Sequence, residues 1–148
     1  MGTYTDCMDQ IATQVAALSS IDMNSNPVVR RKRPWSRAQI HTGISVHYPV
    51  GEVRERQLDG TINCDDFVYP VYITWIRGTG GNETDHVDRI DTFRDEIRGE
   101  FNHKRLPPVT QIYQVIVRHG TILLPKQYRD HYEASSMVCL CIARETRP

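Results

Sequence analysis

The chain has 148 residues, with 18 Lys and Arg balanced by 18 Asp and Glu, and 39% of its residues are hydrophobic. A single domain of this length buries enough apolar surface to fold without a metal or disulfide staple. The balanced charge argues against a general polyanion binder, which carries a basic excess. No stretch approaches the roughly 18 apolar residues of a membrane span.

In chain order, Met8, Ile11, Val15 and Leu18 recur at helical spacing and predict an amphipathic helix over 3–21, started by Thr3 or Thr5, with Asp6 and Asp9 near its positive end. Asn24, Ser25, Asn26 and Pro27 form a turn cluster, and Val28-Val29 open an extended segment. Residues 44–50 alternate, with Ile44, Val46, Tyr48 and Val50 on one side and Ser45 and His47 on the other, which predicts a strand with one wet face. The charged stretch 51–66 is expected to be a hairpin tip or loop turning at Asp59-Gly60. Residues 67–76 read as a strand apolar on both faces, with a bulge or a partial edge at Pro70, which lacks a ladder donor.

Val87, Ile90, Phe93, Ile97 and Phe101 predict a second helix, acidic at its start, basic at its end, and stopped by Pro107-Pro108. Two strands, "VTQIYQVIVRH" and "SMVCLCIAR", follow, separated by a long arm over 121–136. Strands that follow one another without intervening helices imply one α+β domain over 1–148. Its sheet is mostly antiparallel, with the N-terminal and mid-chain helices packed on one face and long projecting loops.

Catalytic chemistry finds little purchase. "RGTGGNETD" is glycine-rich before a helix, but no Lys-Ser or Lys-Thr follows and its carboxylates repel phosphate. His131, Glu133, Cys139 and Cys141 partly match a zinc deaminase pattern, yet the cysteines are two apart on a strand, too tight and without the proline; core-facing reduced thiols are the default. Asp65-Asp66 and Asp88 with Asp91 are better explained as turn and helix-cap residues than as magnesium ligands. No Ser or Cys nucleophile has a local base signature. The expectation is a non-enzyme with no cofactor and no metal. Four cysteines without a disulfide framework, and a start lacking an export signal, point to synthesis in a cytosol.

The strongest local feature is "RRKRPWSR" over 30–37. It places Arg30, Arg31, Lys32, Arg33 and Arg37 around Trp35, and without those five cations the chain has 13 basic against 18 acidic residues. Arg forks and a stackable Trp35 suit nucleic acid. A basic loop on an acidic remainder suits contact with another protein subunit. Contact within an assembly is the preferred reading, and a small DNA-binding or DNA-processing protein using loop 30–37 is the alternative.

The order of "MDQIATQVAALSSI", a Pro-Val-Val entry into a loop, "VYPVYITWIR", a Gly-rich acidic turn, and "DRIDTFRDEIRGEF" running into "LPPVTQIYQVIVRHG" resembles the small neck proteins of tailed bacteriophages, above all the tail terminators or tail completion proteins. The resemblance covers about residues 8–143 and rests on element order and length. It implies a non-enzymatic virion subunit, assembled in the host cytoplasm, that closes into a homo-oligomeric, hexameric ring. The ring would join the tail tube protein to the head-side connector or stopper protein, around a channel through which DNA passes without sequence recognition. The projecting positions would be Arg30 to Arg37, 51–66 and 121–136, with Arg30, Arg31, Lys32, Arg33, Trp35 and Arg37 at a subunit contact or facing the channel. The basic loop is longer than in the short stereotyped members.

Overall fold

A computed structural model describes residues 2–18, 28–33, 43–49, 56–61, 63–78, 84–119 and 132–147. Among these residues, two helices and six strands follow in the order α1 (Thr3–Ala16), β1 (Val28–Arg31), β2 (Gly43–His47), β3 (Arg56–Thr61), β4 (Cys64–Gly78), α2 (Thr84–Phe101), β5 (Ile112–His119) and β6 (Tyr132–Thr146). This is the expected α+β fold, and both helices supply the core cluster on one side of the sheet. No described helix is long and apolar enough to cross a membrane.

The sheet runs β1-β2-β4-β6-β5, with β3 also on β4. Every pairing is antiparallel except β1 with β2. Its spine is the ladder in which β4 pairs with β6 from Cys64↔Thr146 to Gly78↔Tyr132. Since β6 takes one side of β4 along its whole length, β2 and β3 share the other side end to end. β2 meets Tyr72–Ile76 and β3 meets Cys64–Val68. Pro70 falls in the gap between them, where a missing N–H costs no ladder bond. Its carbonyl accepts a hydrogen bond from the Tyr4 hydroxyl of α1. The partial edge expected at this proline is therefore real.

Rows of directly opposed residues share a face. Ile44, Trp75 and Ser135 form one row and Val46, Ile73 and Met137 the next, continuing through Val71 and Cys139 to Tyr69, Cys141 and Val115. Against this face pack Cys7, Met8, Ile11 and Val15 of α1 and Phe93, Ile97 and Phe101 of α2. Trp75 and Phe93 meet at 5.4 Å between ring centroids. Burying each large side chain of this set contributes roughly 1.5–3 kcal/mol.

Several local expectations change. The first helix closes at Ala16, because Ala17 and Leu18 turn back to Gln14 and Val15 in tight i−3 bonds. Its N-cap is Gly2, without a side-chain cap, so Thr3 is already helical. Residues 19–21 lie outside the described residues. The second helix ends at Phe101 and not at Pro107-Pro108: His103 takes a left-handed φ of 58° and turns the chain into β5. Lys104 Nζ donates to Gly99 O (2.7 Å), serving the helix's last carbonyls as a cation should.

The hairpin turns at Asn63 and not at Asp59-Gly60. Thr61 pairs with Cys64, and Asn63, at φ 65°, supplies the left-handed position that asparagine tolerates. Asp59-Gly60 instead coincides with the register shift between Leu58 and Thr61. Residues 56–61 are thus strand, 63 turn and 64–66 strand, while 51–55 and 62 lie outside the described residues. Similarly, 132–136 of the expected arm belongs to β6, while 120–131 is outside. Asp65 and Asp66 are strand residues, not turn residues, held by Arg147 (2.8 Å) and Arg144.

Candidate functional site

The cationic segment begins on an edge strand. β1 pairs with β2 through Val28↔Ile44 to Arg31↔His47, and among the described strands it has no second neighbour. Val28 packs on the core, so Arg30, two residues on, points to the same side. There Arg30 Nε meets Asp9 Oδ1 of α1 at 3.1 Å, both side chains remaining partly exposed. The alternate residue Val29 is exposed at 41%, on the opposite side. Arg31 is half-buried, in register with His47, while Lys32 and Arg33 are exposed and make no ion pair among the described residues. The structure thus separates the expected cluster into one pinned arginine, one inward arginine and two exposed cations. Trp35 and Arg37 lie outside the described residues, as do Pro34 and His131.

A second constellation lies where a wet surface was expected. Ser45 and His47 are 0% and 3% exposed, not solvated. The alternation of 44–50 was legible, but the side away from the helices is buried here too, together with Thr74, Ser136 and Ile76. Ser45, Thr74 and Ser136 stand in one row across β2, β4 and β6. Ser45 Oγ donates to Thr74 O at 3.3 Å. His47 Nδ1 lies 2.7 Å from Tyr48 O, His47 Nε2 2.8 Å from Thr74 Oγ1, and Thr74 Oγ1 2.7 Å from Ser136 Oγ.

The direction of this chain follows from its end. A carbonyl only accepts, so Nδ1 carries the proton. Burial lowers the His47 pKa, opposed by the Tyr48 hydrogen bond, so the ring is neutral and Nε2 accepts. Thr74 then donates to His47 and accepts from Ser136. This sequence of hydroxyls and imidazole has the form of a nucleophile with its base. Thr74, however, is 1% exposed, and its neighbours are buried with it, so it holds three strands in register rather than meeting a substrate. A polar strand face opposite an apolar one was the visible sequence signal; nothing local in the sequence marked it as covered.

Under the helices, Cys7, Cys139 and Cys141 are fully buried. Burial pushes the Cys139 thiol up to about 12, and Cys141 rises through its hydrogen bond with Cys7 and its own burial. Cys139 and Cys141 are core-facing protonated thiols, the default reading of their spacing. Among the described residues, no group of His, Cys, Asp and Glu is arranged to hold a metal.

On the outer side of α2, Thr92, Asp95, Glu96, Gly99 and Glu100 line an open groove of about 330 Å³. Arg98 pairs with Asp95 at 2.7 Å, and Gln14 Nε2 of α1 donates to Glu100 Oε1 at 3.1 Å. A second cavity, of about 560 Å³, lies at the start of α1 beside Tyr69, Gln111, Arg144 and Glu145. Its polar groups are mutually engaged: Tyr69 donates to Glu145 (3.0 Å) and Arg144 forks onto Asp66.

Neither a protein-family model nor a curated protein sequence matches this chain.

Proposed function

We propose that the chain is a structural subunit of a tailed-phage neck, similar to a tail terminator, acting in a homo-oligomeric ring between the tail tube and the head-side connector. The observation that carries this reading is the placement of the cationic segment. It lies on an edge strand of an α+β layer, partly anchored to α1 through Arg30 and Asp9, with Lys32 and Arg33 exposed beside Val29. An exposed apolar side chain with two exposed cations shortly after it, unpaired among the described residues, at a strand edge, suits contact with a protein surface. The competing reading, a DNA-binding or DNA-processing protein, wants the arginines as free forks, and Arg30 is committed to a carboxylate.

Electron microscopy of phage particles assembled without this chain tests the proposal. Separate filled heads and unjoined tails are expected, and normally joined particles overturn it. In parallel, the isolated chain should not bind duplex DNA at low salt; salt-sensitive binding lost on replacing Lys32 and Arg33 would favour the DNA reading.

A further inference from the structure

We propose that the β1 edge of one copy docks on the acidic groove along α2 of a second copy, so that Lys32 and Arg33 of the first meet Glu96 and Glu100 of the next. This rests on the ring reading above and names its two surfaces.

The argument starts from the two ends of the sheet, which are not alike. The outer side of β5 is already occupied by the turn that follows α2. Val115 N donates to Lys104 O (2.9 Å), His103 N donates to Val115 O (2.7 Å), and Val117 N donates to Asn102 Oδ1 (2.9 Å). A strand arriving there would have to displace all three bonds. β1, by contrast, has a strand neighbour on one side only among the described residues. Head-to-tail copies therefore cannot join by running β1 of one molecule onto β5 of the next as a continued sheet. A short edge carrying arginines also resists pairing with another edge of its own kind. What remains is contact through side chains.

The surface that complements it in charge is on α2. Among the described residues, the groove's lining includes the carboxylates of Asp95, Glu96 and Glu100. Arg98 occupies Asp95, and Lys104 is spent on the Gly99 carbonyl, whereas Glu96 makes no ion pair among the described residues. Beside it, Gln14 gives its amide N–H to Glu100, while its buried Oε1 has no hydrogen-bond partner among the described residues. Among the described residues, the groove thus offers the unpaired Glu96 carboxylate where the β1 end offers the unpaired Lys32 and Arg33. An ammonium and a guanidinium entering it form charge-assisted bonds, and Val29 adds an apolar contact at the same edge.

The two surfaces lie on different elements and do not complement themselves. A contact between them is heterologous, which repeats from copy to copy and closes into a ring when the rotation allows.

The test uses two double variants of the whole chain, K32E/R33E and E96K/E100K, followed by sedimentation at high protein concentration and low salt. Far-UV circular dichroism checks that each is folded. Wild type is expected to self-associate, and each variant alone to associate at least about tenfold more weakly, since like charges then face each other across every contact. An equimolar mixture is expected to recover wild-type association, because each edge again meets a groove of opposite sign. Association unchanged in both variants, or no recovery on mixing, overturns this contact. So does a wild-type chain that stays monomeric at millimolar concentration. None of these results bears on joined or unjoined particles, so the neck reading stands or falls separately.

Discussion

Asp66 and Arg144 stand directly opposite each other on β4 and β6 and bond as a fork, Nε to Oδ1 at 2.8 Å and NH2 to Oδ2 at 3.0 Å. The Arg144 hydrogen bond and charge hold the Asp66 carboxyl below its ordinary value, and the same bond raises Arg144. Arg144 also lies over the Tyr113 ring at 5.6 Å. Tyr113 is the extra residue of the β5 bulge between Ile112 and Gln114, so one guanidinium ties the spine of the sheet to its irregular edge.

The carboxyl's lowered pKa sets the sign of an acid effect. A depressed carboxylate adds stability above its unfolded pKa of about 3.9, and that stability is lost as pH falls through the folded value. Asp66→Asn should therefore unfold at lower urea than wild type at pH 7. The gap should close as pH drops below about 4. Urea midpoints at both pH values check this; a gap that persists or widens in acid contradicts it.

His47 predicts a change nearer neutrality. Its folded pKa lies below the unfolded value of about 6.5, so the unfolded chain binds the extra proton. Stability is complete above pH about 6.5 and falls as pH decreases toward the folded pKa, by at most about 1.4 kcal/mol per pH unit. His47→Gln should flatten that slope relative to wild type, and the difference between the two removes the other histidines from the comparison. Thr74→Val keeps the shape but orphans His47 Nε2 and Ser136, at a cost of about 1–3 kcal/mol in chemical denaturation, whereas Thr74→Ser should cost less. Equal stability of the valine variant would mean that the hydroxyl chain does not hold the strands.

The thiols divide by burial. Cys64 is half-buried at the start of β4, while Cys7 on the inner face of α1 and Cys139 and Cys141 on β6 are fully buried. A disulfide reagent at pH 8 should label one thiol per native molecule quickly and all four after denaturation. Rapid labelling of two or more natively would contradict the packing of α1 on β6.

The parts of this fold visible in the sequence are those with strong period. Met8, Ile11 and Val15 marked α1, Phe93, Ile97 and Phe101 marked α2, and Pro70 marked an interruption, because each signal is local chemistry repeated along one element. The burial of His47 was hidden because alternation says which residues share a face and never what covers it. The Asp59-Gly60 turn signal lost to the ladder, since β6 extends β4 down to Cys64, which pairs with Thr61 and leaves Asn63 in the turn. For the candidate contact, the sequence located the cations but not their inequality. Arg30's partner, Asp9, is contributed by a different element.

Asn102 yields the last prediction. It sits just past α2, and its side-chain oxygen caps the Val117 amide on the outer side of β5, two residues beyond the paired bonds between Val115 and the 103–104 backbone. Asn102→Ala leaves Val115 covered but frees the Val117 amide at a sheet edge. The local bond is worth about 1 kcal/mol, so the global unfolding midpoint should move little. Hydrogen exchange at Val117 should accelerate about fivefold while Val115 is unchanged, because the loss is local. The newly open edge should also raise aggregation on prolonged incubation, as unpaired strand edges do. If Val117 exchanges no faster in the variant, the Asn102 side chain is not what closes this edge, and the proposed asymmetry between β5 and β1 loses one of its three bonds.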